Sequence, residues 1–243
     1  MCVAAIAWRA HPRWRLVMIG NRDEFHARPT APLSVWPDGR IIAGRDLQAG
    51  GTWLGVSPGR FSLVTNYRVE GYPLPHLASR GALVSDWLRG NAPGDVSTMN
   101  PFNLWTADTD ELAVTANYPA AARTALATGI HGLSNGGADD DRWFKTGRLE
   151  MALAAWLERD GYPAELLELL ADRTIDPDAL DRATGPIPEF SSVFIANEGY
   201  GTRCSTVLAI DNDGQGTIIE RSFDESGDET GIVSLGFDWR AAP

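Results

Sequence analysis

The sequence is short of the residues that build metal sites and disulfide frameworks. It has two cysteines, Cys2 and Cys204, too few for such a framework. Its four histidines, His11, His26, His76 and His131, stand far apart, and no pair has metal-ligand spacing. A structural zinc is therefore not expected. No apolar run approaches the roughly 18 residues needed to cross a bilayer. The apolar start over residues 2–6 gives way to Trp8, Arg9 and His11, and no basic stretch precedes it, so it does not read as a secretory signal. Basic charge is scarce too: 21 Lys and Arg stand against 32 Asp and Glu, a net charge of −11. Without a basic stripe, nucleic acid is not an expected partner. The glycines form no GK[ST] or GxGxxG pattern that would cradle phosphates after a strand. These absences lead us to expect a cytoplasmic globular protein with no membrane span.

What the chain does have is enough to fold. Hydrophobic residues make up 44% of 243 positions, and no linker, repeat or low-complexity tract divides them, so residues 1–243 read as one domain. Residues 2–8 and 15–20 read as two short strands joined by a loop containing Pro12. Residues 21–32, polar and punctuated by proline, read as a loop. GRIIAGRD, GGTWLGVS and GRFSLVTNY read as successive antiparallel strands. SRGALVSDWLRG places Leu83, Val84, Trp87 and Leu88 at helical spacing. FNLWTAD and ELAVTAN form a second hairpin, and GIHGLSN a short strand. Residues 139–161 read as a helix opened by three aspartates, which suit its dipole, with Trp143, Leu149, Leu153, Trp156 and Leu157 on one face. A further helix starts at Pro163. SSVFIAN, RCSTVLAID, GTIIERSF and GIVSLGFD return to strands. Runs of strands alternating with runs of helices predict an α+β or layered α/β/β/α arrangement rather than a parallel sheet.

Several residues in this pattern can carry chemistry. Cys2 is small, so the initiator methionine can be removed ahead of it. The new N-terminus would then hold a thiol beside an amine able to take its proton. The alternative is a buried cysteine that happens to begin a strand. The first hairpin returns residues 21–24 to the side of Cys2. Arg22 and Asp23 could there hold the amine, tune the thiol and orient a substrate; otherwise the group is a solvated turn. Asn66 and Asn135 each end a strand. They are either turn residues or amide donors to an oxyanion. Arg203 opens an apolar strand, as a surface charge or as part of the site. Asn21, Glu24 and Trp53 are the candidates for contacting a substrate.

Met1-Cys2, Asn21-Arg22-Asp23-Glu24-Phe25, Arg28-Pro29, Gly50-Gly51-Thr52-Trp53-Leu54-Gly55, Thr65-Asn66-Tyr67, Gly132-Leu133-Ser134-Asn135, Tyr200-Gly201-Thr202-Arg203 and Glu220-Arg221 occur in this order. The set resembles the NRDE-motif family, whose animal members are named for transport and Golgi organisation. That family is similar to the N-terminal-nucleophile hydrolases. The resemblance implies a four-layer αββα sandwich of antiparallel sheets. It also implies hydrolysis of a linear amide by way of a thioester, with Cys2, Arg22, Asp23, Asn66, Asn135 and Arg203 as catalytic residues and no cofactor. Here Arg22 and Asp23 are adjacent where the related acylases separate them, so Asn21 is an alternative at that place. The rival implication is a non-catalytic protein that binds haem or an acyl lipid on the same scaffold, since family members are linked to haem trafficking and acyl-lipid metabolism.

Overall fold

The computed structural model of the protein describes residues 2–137, 143–159, 161–181 and 185–240. In chain order the elements are β1 (Val3–Trp8), β2 (Trp14–Phe25), β3 (Thr30–Val35), β4 (Ile42–Asp46), β5 (Leu54–Ser57) and β6 (Arg60–Asn66). Next come α1 (Gly81–Leu88), β7 (Phe102–Ala107), β8 (Leu112–Ala116), β9 (Ala122–Ala125), β10 (Gly129–Leu133), α2 (Phe144–Arg159) and α3 (Leu166–Leu169). The chain closes with the short β11 (Leu180–Asp181), β12 (Gly185–Pro186) and β13 (Ala196–Asn197), then β14 (Tyr200–Asp211), β15 (Gln215–Phe223) and β16 (Glu229–Asp238).

Two large antiparallel sheets follow from the pairing, and β11 and β12 pair as a small third one. One runs β10-β1-β2-β14-β15-β16, with β13 on β14; the other runs β3 through β9 in sequence order. Side chains alternate across a strand. In β1, Ala4, Ile6 and Trp8 therefore enter the core between the sheets, where Trp105, Phe61 and Leu208 meet them. Val3, Ala5 and Ala7 face the other way, onto Leu149, Leu153 and Trp156 of α2 and Leu166 and Leu167 of α3. On the far side, Leu83, Val84 and Leu88 of α1 cover Ile41, Val64 and Phe102 of the second sheet. The result is the four-layer αββα sandwich, with one core between the sheets and one beneath each helix layer.

Several elements differ from their expected bounds. Residues 21–25 are not loop but the last part of β2, because β14 continues to pair with them as far as Tyr200 opposite Phe25. Partner-strand hydrogen bonds thus outweigh the polar composition of that stretch. SSVFIAN is mostly not a strand: its backbone is used by loop partners, Phe194 N–H donating to Asp172 O and Val193 O accepting from Asn21. α2 begins at Phe144, with Trp143 just ahead of it, and the aspartates expected to open it, Asp139 to Asp141, lie outside the described residues. The helix expected from Pro163 starts as a 3-10 turn over Pro163–Glu165 and continues as the short α3. Strand β9 carries no alternating pattern and is exposed throughout. No helix among the described residues is long and apolar enough to cross a membrane.

Candidate active site

A cleft of about 440 Å³ opens at one end of the sandwich, and Cys2, Arg22, Asp23, Glu24, Trp53 and Asn66 line it together. The register of the first hairpin brings them there. Val3 pairs with Asn21, so Cys2 stands level with Arg22, and Arg22 in turn pairs with Cys204 of β14. Asn66 arrives at the end of β6, in the facing sheet. The Cys2 Sγ is 3.8 Å from the Asp23 carbonyl oxygen, a long contact for a weak thiol donor. The Ser134 hydroxyl donates to the Cys2 carbonyl at 2.9 Å and so fixes the start of β1. Met1 lies outside the described residues.

The Asp23 side chain sits in a polar nest of its own. Thr202 Oγ1 donates to its Oδ1 at 2.7 Å, and the Tyr200 hydroxyl donates to its carbonyl at 3.0 Å. The Lys145 ammonium is 3.8 Å from Oδ2, with the two side chains 1% and 0% exposed. Burial pushes the Asp23 carboxyl up, against the pull of Lys145, the Thr202 hydroxyl and Arg22. Burial likewise pushes the Lys145 ammonium down, opposed by the charges of Asp23 and Cys2. Each charge makes the other's burial tolerable. Lys145 was not among the candidates from sequence. Its signal was legible there: it lies on the same stripe of α2 as Leu149, Leu153 and Trp156, where a lysine is out of place unless paired.

Three arginines, Arg22, Arg28 and Arg80, also line the cleft. Arg22 is buried, with its guanidinium carbon 4.4 Å over the ring of Trp53 and its Nη2 3.6 Å from Glu24. Arg28 grips Asp46 through Nε and Nη2, at 3.1 and 2.6 Å. The Asp46 bond raises the Arg28 pKa. Asp46 itself ends below the ordinary carboxylate value: burial works upward, but Arg28 and the Gln48 and Ala49 N–H groups outweigh it. Arg80, at the start of α1, also lines the cleft and donates through Nη1 to the Pro101 carbonyl at 3.2 Å. Arg28, Asp46 and Arg80 were not singled out as site residues, because surface-type charges in loops carry no periodic signal.

Three of the sequence candidates stand elsewhere. Asn21 faces the helix layer: its amide donates to Leu170 O and Val193 O at 2.8 and 2.9 Å, and its oxygen accepts from Ser205 at 2.7 Å. It ties β2 to that layer. Asn135 is buried, and its amide donates to the Asn66 carbonyl at 2.7 Å while its own carbonyl accepts from Arg68 N–H. It therefore holds the Asn66 backbone. Arg203 lines a second cavity of about 290 Å³, with Cys204 and Glu220, on the other side of the Arg22–Trp53 stack. Its Nη1 donates to the His26 carbonyl at 2.6 Å. Both cysteines are free thiols. Burial, aided by the nearby Glu220, pushes the Cys204 thiol well up.

Comparison with known proteins agrees with the order of motifs. The family model described as transport and Golgi organisation 2 matches residues 1–225. A transport and Golgi organization protein 2 homolog from Bos taurus is 31% identical over 259 aligned positions, covering 91% of this chain and 93% of that protein. The Homo sapiens homolog is 28% identical over the same shares of both chains. Among solved structures, a Caenorhabditis elegans ortholog of N-acylethanolamine-hydrolyzing acid amidase aligns over 85% of this chain and 92% of that one, with 13% identity and a TM-score of 0.49. The family model's match over nearly the whole length means that the chain belongs to the transport and Golgi organisation 2 family.

Proposed function

We propose that the protein is an N-terminal-cysteine amidohydrolase that cleaves a linear, non-peptide amide by way of a thioester. The observation that carries the reading is the position of Cys2: it stands just ahead of a buried strand, yet its thiol lines the cleft, 3.8 Å from the Asp23 carbonyl oxygen. Once Met1 is removed, the Cys2 α-amine, whose ordinary pKa is about 7.7–8.0, accepts the thiol proton. The sulfur attacks the amide carbon, and the carbonyl oxygen becomes an oxyanion for Asn66 to receive. The C–N bond then breaks, and the leaving amine departs with the proton held by the α-ammonium. Water attacks the thioester with the amine again as base, releasing the acid and restoring the thiol. Asp23, held by Lys145 and Thr202, positions the amine; Asn135 fixes the backbone that carries Asn66. Arg22 lends positive charge to the cleft. Arg203 braces the turn after β2 and takes no part in the bond changes.

The test is a panel of acylated amines and penicillins, assayed with the parent, Cys2→Ser and Cys2→Ala. Turnover and a hydroxylamine-trappable acyl adduct are expected in the parent and in neither variant. Turnover that survives in Cys2→Ala refutes the mechanism. A parent inert across the panel turns the reading to non-catalytic binding of haem or an acyl lipid.

A further inference from the structure

We propose that Arg80 is the receptor for a carboxylate on the substrate, so that the amide cleaved at Cys2 belongs to a singly anionic molecule. The inference rests on the reading of Cys2 as a nucleophile and adds the charge of what it acts on. It comes from how the cleft divides its charges. Lys145 stands against Asp23, Arg28 against Asp46, and Arg22 against Glu24. Arg80 is left over. Of its five N–H donors, the described residues engage one, through the 3.2 Å bond to the Pro101 carbonyl. In a protein of net charge −11, Arg80 is thus the one cation among the described residues lining the thiol's cleft that has no acidic partner at ion-pair distance. Cys2, Glu24 and Arg80 line the same cleft; burial and Arg28 work against the Arg80 cation, and Cys2 and Glu24 favour it.

The backbone holds Arg80 where it is. A Cβ on Gly81 would stand 2.9 Å from the Thr52 carbonyl oxygen, and one on Gly51 2.5 Å from the Gly81 carbonyl carbon. Only glycine permits that approach, and it locks the start of α1 against the segment that presents Trp53. Arg80 is therefore not a roaming surface charge. A planar guanidinium with free N–H groups matches a carboxylate in two-point geometry, whereas Arg22 is stacked on Trp53 and Arg28 is turned onto Asp46. One unmatched positive charge calls for one negative charge.

Two alkylating reagents of similar size, one anionic and one neutral, read this without knowledge of the substrate. In both, the Cys2 sulfur displaces iodide; iodoacetate carries a carboxylate and iodoacetamide does not. The rate ratio of iodoacetate to iodoacetamide at Cys2 is expected to fall at least about tenfold in Arg80→Gln, the equivalent of ~1.4 kcal/mol. Arg80→Lys should keep most of the ratio, and Glu24→Gln, which removes a negative charge from the cleft, should raise it. Labelling of Cys204 in unfolded protein calibrates the reagents. A ratio unchanged in Arg80→Gln overturns the proposal. So does an equal slowing of both reagents, which would make Arg80 a partner of the sulfur alone. A Cys2 that resists both reagents counts against the nucleophile, not against Arg80. The receptor is then read by thermal shift with succinamate and its uncharged diamide, succinamide. Succinamate should stabilise the parent more than succinamide does, and Arg80→Gln should erase the difference; equal shifts in the parent overturn the proposal.

Discussion

Deleting the ammonium of Lys145 isolates the charge arrangement beneath Cys2. Lys145→Met keeps an unbranched apolar stem and removes only the charge. The Lys145 nitrogen lies 3.8 Å from Asp23 Oδ2, with both side chains shut off from solvent. Removing one partner of such a pair costs about 3–5 kcal/mol, because the remaining charge stays buried without its counter-ion. Thr202 still donates to Asp23, so the lower end is expected. A chain of this length loses about 2–4 °C in Tm per kcal/mol, and the melting point should drop by about 6–12 °C. Lys145→Met combined with Asp23→Asn removes both charges and should recover at least half of the loss. The pH dependence has a definite sign. Burial already lifts Asp23 above its ordinary value of 3.8, and loss of Lys145 lifts it further. The folded state then keeps a proton that the unfolded chain has released. Stability is greatest below the ordinary value and declines as pH rises through the folded-state one. The penalty of Lys145→Met should therefore grow with pH above about 4 and vanish in the double variant. Thermal melts by circular dichroism from about pH 4 to 8, at fixed ionic strength, measure it. A penalty below about 1 kcal/mol, a penalty flat with pH, or a double variant no more stable than the single one would refute the buried pair.

Intact-protein mass spectrometry of normally processed protein should show a chain lacking Met1; a mass retaining it removes the amine that the hydrolytic mechanism requires. In the folded protein, iodoacetamide near neutral pH should label Cys2 well before Cys204, because Cys2 lines the cleft and Cys204 is enclosed; equal rates would refute an accessible, activated Cys2. Asn21→Ala should cost about 3 kcal/mol, since it strands the Leu170 and Val193 carbonyls and the Ser205 hydroxyl. It should leave the rate of Cys2 alkylation within about twofold when measured well below its Tm. A loss of reactivity with unchanged stability would instead make Asn21 a substrate contact.

Much of the layering was written in local pattern. The short apolar runs CVAAIAW and RLVMIG, the 3.6-residue stripe through Leu149, Leu153 and Trp156, and the turn residues between strands each act over a few neighbours, so a sequence displays them directly. Cys2 and the residue types of the NRDE stretch were also legible, because their chemistry is intrinsic and the hairpin that joins them is short. What sequence could not decide is which polar groups point where once strands from distant parts of the chain pair. The extension of β2 through Phe25 depends on β14, nearly two hundred residues away, and that pairing turns Asn21 toward the helices and Arg22 toward the cleft. Asn135 was visible as an amide, but only packing places it against the Asn66 carbonyl. Lys145 was visible as a charge in an apolar stripe, but its partner comes from another layer of the sandwich. Arg203 and Arg80 show the same division most plainly. Their charges are equal in sequence, yet the Arg22–Trp53 stack puts Arg203 in a neighbouring cavity, and the glycine contact with Thr52 holds the start of α1 where Arg80 lines the thiol's cleft. Residue chemistry and short-range periodicity are properties of the chain itself. The matching of each buried charge to a counter-ion is settled only when non-local strands close, because the energy of that matching depends on distances that no local pattern encodes.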